Sequence, residues 1–239
     1  MTRLRSKIAA LLAVVIALTA IPAFASTAGA TSRPAPTTSQ VWVTHGLPLN
    51  DTGTVVDVYV NGALTIEDFT FGQTVGPLTL PAATYEIQVK LANTDTTAID
   101  QDVAVPAGGN FSVVASYTNA DGAIGLNVFS NDLSRIGRYQ ARVALHHAAA
   151  APAVDVDVAL NIFPLFRKTV AAGAVNGAQA SLTLPSWLRY NVDVRVSGTP
   201  TTVLSVEGVK LERRRLTNVY VVGSAAAGTL QTVTSVIKP

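Results

Sequence analysis

The stretch LTLPAATYEIQV, Leu78–Val89, is written again as LTLPSWLRYNVDV, Leu182–Val194. In both, an alternation of apolar and polar residues runs into a proline, which cannot donate to a central ladder and so ends a strand. A second alternation then starts, with Tyr85, Ile87 and Val89 sharing a face in one copy and Tyr190, Val192 and Val194 in the other. The phrase reads as a strand-turn-strand corner used twice. Other pieces recur in the same order: VWVTHG from Val41 with VALHHA from Val143, which sets His45 over His147; VVDVYV from Val55 with AVDVDV from Ala153; FSVVAS from Phe111 with VYVVGS from Val219. A period of about one hundred residues makes each copy a domain, where a solenoid turn would be several times shorter.

Short runs rich in Val, Ile, Thr and Tyr, cut by Gly, Pro, Asn and Asp, are strand chemistry with turn punctuation. Asn61-Gly62 is a two-residue hairpin signal. The expected fold is all-β: two tandem immunoglobulin-like, antiparallel β-sandwich domains after an N-terminal signal peptide. The boundaries read as a signal over 1–25, a Pro- and Ser-rich lead-in over 26–40, a first sandwich over 41–130, a linker over 131–140 and a second sandwich over 141–239.

The leader carries Arg3, Arg5 and Lys7, then the apolar run Ile8–Ala20, then Ala23-Phe24-Ala25, a cleavage signature. The apolar run is shorter than the ~20 residues a membrane span needs. Three of the 17 basic residues leave with it and none of the 15 acidic ones, so the exported chain has a net charge of −1. That removes the basic pI as an argument for nucleic acid. The halves are opposite in sign: 26–139 carries four basic and ten acidic residues, and 140–239 carries ten basic and five acidic. Such halves attract each other within a chain or between chains, unless the asymmetry is only drift in surface charge. Cysteine is absent, so disulfides, thiolate chemistry and a lipid-bearing N-terminal cysteine are excluded, and packing alone holds the fold.

The residues resemble the family known as domain of unknown function DUF4397. The resemblance rests on VTHGLPLNDTGTVVDVYVNG, LTLPAATYEIQV and VPAGGNFSVVASY in the first copy, and on ALHHAAAAPAVDVDV, LTLPSWLRYNVDV and NVYVVGS in the second. It implies two exported bacterial β-sandwich domains over roughly residues 40 to 236 and supplies no reaction. Where the family has Ser-Pro-Asp, the second copy has Ala148–Ala150 and the first has the longer GLPLNDTG.

Candidate chemistry is sparse. His45 and His147 are the weak metal candidates, set against the plainer reading of a rim histidine bonded to a loop carbonyl. His146 and His147 are adjacent, so on a strand they face opposite ways. Asp51-Thr52-Gly53 has the tripeptide of aspartic proteases without a second copy to share its proton. Asp57, Asp155 and Asp157 point outward and read as a solvated sheet face. No catalytic residue and no cofactor is expected.

The candidate interaction surface comprises Trp42, the apolar loop residues Ile162, Phe163, Leu165 and Phe166, and the basic cluster Arg213, Arg214 and Arg215. The expected function is a secreted, non-enzymatic binding or structural module at or outside the cell envelope. The alternatives are a carbohydrate-binding module, with Trp42 as a stacking ring beside Tyr59 and Trp187, and a hydrolase built on His45 and Asp51. The partner is unnamed: the other half or another copy of the chain, an envelope protein or a glycan. Neither a nucleic acid nor a membrane span after signal cleavage is expected.

Overall fold

The computed structural model describes residues 37–48 and 55–239, and for 163–166 the backbone only. The leader and the Asp51-Thr52-Gly53 tripeptide lie outside the described residues. The first copy contributes β1 (Thr38–His45), β2 (Val55–Val60), β3 (Ala63–Thr70), β4 (Thr74–Pro81), β5 (Ala83–Leu91), β6 (Thr97–Val105), β7 (Asn110–Tyr117) and β8 (Ile124–Ser130). The second contributes β9 (Gln140–His147), β10 (Val154–Leu160), β11 (Phe163–Ala174), β12 (Gln179–Pro185), β13 (Arg189–Val196), β14 (Thr202–Lys210), β15 (Leu216–Val222) and β16 (Gln231–Ile237). The described residues contain no helix.

Four sheets result, and they repeat strand for strand: β4-β1-β7-β8 and β3-β2-β5-β6, then β12-β9-β15-β16 and β11-β10-β13-β14. The fold is two tandem β-sandwiches. The pairing is antiparallel except that β1 runs parallel to β7 and β9 to β15. These partners are far apart in sequence, so no hairpin dictates their direction.

Alternation fills each core. Val56, Val58, Val89, Val103, Val113 and Leu126 are buried in the first sandwich, and Val154, Val156, Val158, Val192, Val194 and Val219 in the second. Asn61 and Gly62 both take positive φ, 49° and 76°, as the two-residue turn between β2 and β3 requires. The matching turn between β10 and β11 is Asn161-Ile162, and the extra residues of the second copy lengthen β11 to 12 residues against eight in β3.

The repeated corner has a specific latch. Tyr85 Oη donates to the Pro81 carbonyl at 2.9 Å, and Tyr190 Oη to the Pro185 carbonyl at 2.8 Å. The proline ends one strand, and the tyrosine of the next strand in the opposite sheet returns to that strand end. The register is kept as well: Leu78 pairs with Val41 and Leu182 with Val143. One alignment from the sequence moves. Val41 pairs with Phe111 while Val143 pairs with Thr217, so Phe111 corresponds to Thr217, two residues before Val219. Apolar runs tolerate that slip because valine matches valine either way.

The sheets β4-β1-β7-β8 and β12-β9-β15-β16 turn their outer faces to each other. Val114 and Phe129 pack with Ala148, Tyr220, Val222 and Val233, while Trp42 and Leu133 pack with Ala144, Leu216 and Ile237. Asn218 Nδ2 donates to Asn131 Oδ1 at 2.9 Å, and Asn131 Nδ2 donates to Ser112 Oγ at 2.9 Å. At the edge, Asn176 Nδ2 donates to the carbonyls of Tyr117 and Ala149. The contact is mainly apolar and neutral polar; among the described residues one ion pair, Arg142 to Asp132 at 3.1 Å, joins the basic half to the acidic one.

If the latches hold the corners, Tyr85→Phe and Tyr190→Phe should each lower unfolding free energy in urea by about 1 kcal/mol. The loss should be larger at Tyr190, which is buried, than at half-buried Tyr85. Unchanged midpoints in both variants would remove the latch from the account.

Candidate functional site

The three histidines are enclosed. His45 is fully buried, with Phe69 and Phe71 around its ring, and the Leu47 N–H donates to its Nδ1 at 3.3 Å. His147 repeats that turn, since the Ala149 N–H donates to its Nδ1 at 3.4 Å. Its Nε2 meets the Pro152 carbonyl at 3.2 Å, so Nε2 carries the proton. Both shape the loop that leaves the first strand of their sandwich. Among the described residues, no three His, Asp or Glu side chains gather as a metal site.

His146 points the other way, into the contact between sandwiches. Its ring stacks on Tyr220 at 4.7 Å and lies 4.4 Å from Phe129. Its Nε2 lies 3.2 Å from Asn218 Oδ1, which can only accept, so Nε2 carries a proton here too. Burial drives its pKa down to about 4, against a small upward pull from the Asn218 bond. Burial lowers that of His147 too.

The aspartates expected on a solvated face are not all solvated. Asp157 is 1% exposed. Arg195 Nε reaches its Oδ2 at 2.8 Å, Arg167 Nη1 reaches the same oxygen at 3.4 Å, and Thr169 Oγ1 donates to Oδ1 at 2.6 Å. Burial alone would raise the Asp157 pKa, but Thr169, Arg195 and Arg167 together bring it below the ordinary carboxylate value. Arg167 also bridges to Asp193 at 2.9 Å. Asp155 accepts from the Gly173 and Gly198 amides and from Ser197 Oγ, and these bonds lower its pKa. The outward face of β10 and β13 is thus a hydrogen-bonded plate, and its carboxylates are committed to it.

Trp42 does point away from its own core, as alternation requires. It faces the second sandwich, however, where Ala144, Leu216 and Ile237 cover it, so it is not an open stacking ring. Tyr59 sits under the Lys90 ammonium at 4.8 Å. Trp187 is the exposed indole, at 72%, on the corner after Pro185. Beside it, Ser186 donates through its N–H and its hydroxyl to the Tyr139 carbonyl, and Tyr139 is 57% exposed. Sequence reading did not single out Tyr139, because only the fold brings 139 to 186. Ile162 is 68% exposed at the β10–β11 turn, while the side chains of Phe163, Leu165 and Phe166 lie outside the described residues.

Arg213, Arg214 and Arg215 form the turn between β14 and β15, with Arg214 at φ 58°. Together with Arg135, Ile136, Lys238 and Pro239 they line a concavity of about 350 Å³. A second, mostly apolar cavity of about 170 Å³ lies between the sheets of the second sandwich, near Leu184, Val209 and Leu211.

Residues 39–157 match the family model of DUF4397, domain of unknown function. That stretch, which spans the first sandwich and runs to Asp157 in β10, is a DUF4397-like domain. A comparison with curated proteins finds no match. Among solved structures, the chain is similar to the Bacillus anthracis TIE protein, with 11% identity, TM-score 0.24, and coverage of 80% of this chain and 34% of that one. It thus spans about a third of that protein's length. It is also similar to the family 26 carbohydrate-binding module of Eubacterium rectale Amy13K, solved with maltoheptaose, at 8% identity and TM-score 0.27, covering 84% and 97% of the two chains. Neither likeness is close enough to carry a function across. Among the described residues no helix is long and apolar enough to cross a membrane.

The buried histidines make stability depend on pH. His146 titrates at about 4 when folded and near 6.5 when unfolded, so the unfolded chain takes the proton first. Its contribution is intact above 6.5 and declines as pH falls toward 4, with His147 adding in the same direction. Between about pH 7.5 and 5 the His146 loss should approach ~2 kcal/mol. His146→Gln, which keeps a donor for Asn218, should shrink that loss; equal urea midpoints at both pH values in the parent protein would contradict the burial of His146.

Proposed function

We propose that the chain is exported and works without catalysis, as a two-sandwich binding module at or outside the cell envelope. The observation that carries this reading is the division of its reactive side chains. All three histidines, His45, His146 and His147, together with Asp155 and Asp157, are tied into turns, the sandwich contact or the arginine plate. Trp187, Tyr139, Arg213 and Arg214 are left open, and exposed rings and cations of this kind are side chains of recognition surfaces.

The sugar-binding form of the reading passes from Trp42 to Trp187 and Tyr139. Exposed indole and phenol rings offer flat apolar faces with a polar edge, suited to the C–H face of a sugar ring. The hydrolase reading rested on His45 and Asp51; His45 is sealed from solvent, and Asp51 lies outside the described residues. The opposite net charges of the two halves also support self-association between chains, through surfaces away from the mainly apolar sandwich contact.

The protein lacking residues 1–25, mixed with isolated envelopes of the producing cell and centrifuged, should sediment with them. Recovery wholly in the supernatant at every salt concentration would reject an envelope-binding role.

A further inference from the structure

The strongest unassigned feature is the basic concavity at one end of the second sandwich. Its cations come from three separate parts of the chain: Arg135 before β9, Arg213–Arg215 before β15, and Lys238 after β16. Backbone bonds hold them together. The Arg214 N–H donates to the Gln140 carbonyl at 2.8 Å, and the Arg142 N–H to the Arg215 carbonyl at 2.9 Å. The Arg142 guanidinium bonds the carbonyls of Asp132 and Ser134 and the Asp132 carboxylate, which fixes the segment bearing Arg135. The charged ends are left open. Arg215 has Glu212 at 3.7 Å, while Arg135, Arg213, Arg214 and Lys238 make no side-chain ion pair among the described residues.

Five like charges around one hollow repel one another and raise the local positive potential, so the site favours an anion. The nearby rings narrow the choice. Gln140, which receives the Arg214 bond, follows Tyr139, and Tyr139 receives the Ser186 bond beside Trp187. The Arg138 guanidinium lies 5.2 Å over the Tyr139 ring, adding a cation beside that ring. A neutral glycan would use the rings and leave the cations idle. A phosphate oligomer would do the reverse.

We propose that the hollow and its adjoining rings bind an acidic polysaccharide. Its carboxylate, sulfate or phosphate groups meet Arg135, Arg213, Arg214 and Lys238, while a neighbouring sugar ring lies on Trp187 or Tyr139. This rests on the binding-module reading and names its ligand class. Single-stranded nucleic acid also combines charge with stacking faces. It is disfavoured because the proposed export would carry the chain away from nucleic acid and toward envelope and extracellular polysaccharides.

Fluorescent polygalacturonate oligomers, dextran oligomers and oligothymidylate, titrated into the protein lacking residues 1–25, test this. Polygalacturonate should bind, more weakly as salt rises, and dextran should not. Arg213→Ser should weaken polygalacturonate binding about tenfold, as expected for a lost bond to a charged group. Trp187→Ala should weaken it several-fold. Both side chains are exposed, so neither variant should shift the urea midpoint. No polygalacturonate binding, affinity unchanged in both variants, or tighter binding of oligothymidylate would overturn the proposal. Sedimentation with envelopes by both variants at parent levels would sink this site and leave the binding-module reading standing.

Discussion

The bond from Asn218 to Asn131 sits in a layer where two sheets, each the outer face of its own sandwich, exclude water from each other. Buried amides cost free energy unless they are paired, and pairing is directional. Apolar side chains alone would let the sheets meet in many registers. The Asn218–Asn131–Ser112 chain, with His146 on the other side of Asn218, selects one. A stack of four sheets follows.

That register has consequences at the ends of the stack. Arg142 leaves β9 and clamps Asp132 and Ser134, so the segment between the sandwiches lies against the second one. Arg135 and Tyr139 are carried on that segment, to either side of the buried Ile136. The proposed recognition surface is therefore a product of the docked arrangement as well as of the second sandwich. Its chemistry stays open because the fold uses other groups for its own needs: Arg167 and Arg195 are consumed by Asp157 and Asp193, while Arg213 and Arg214 are not.

Much of the architecture was legible because the signals report backbone chemistry. The prolines of the LTLP phrases, the Asn61-Gly62 turn and the valine alternation of β2 and β10 each constrain local conformation directly. Burial on both faces was harder to read. β7 and β15 are near-continuous apolar runs, FSVVASY and LTNVYVV, which is how a strand covered on both sides is written. That pattern could have placed the second layer over Trp42; alternation alone gives a direction and not what lies there. The same limit explains Asp157, whose outward direction was right and whose arginine cover comes from other strands. The basic triplet was visible, yet Arg135, Lys238 and the Tyr139–Trp187 pair join it only through tertiary contacts.

The central claim is that the two copies fold and act as one body through the Asn218 layer. Native-state hydrogen exchange of the intact protein and its Asn218→Ala variant tests it most directly, read at core amides such as Val58 and Val113 in the first sandwich and Val156 and Val219 in the second. The account predicts that the substitution lowers protection in both sandwiches by the same amount. Protection lost in the second sandwich and unchanged in the first would contradict it.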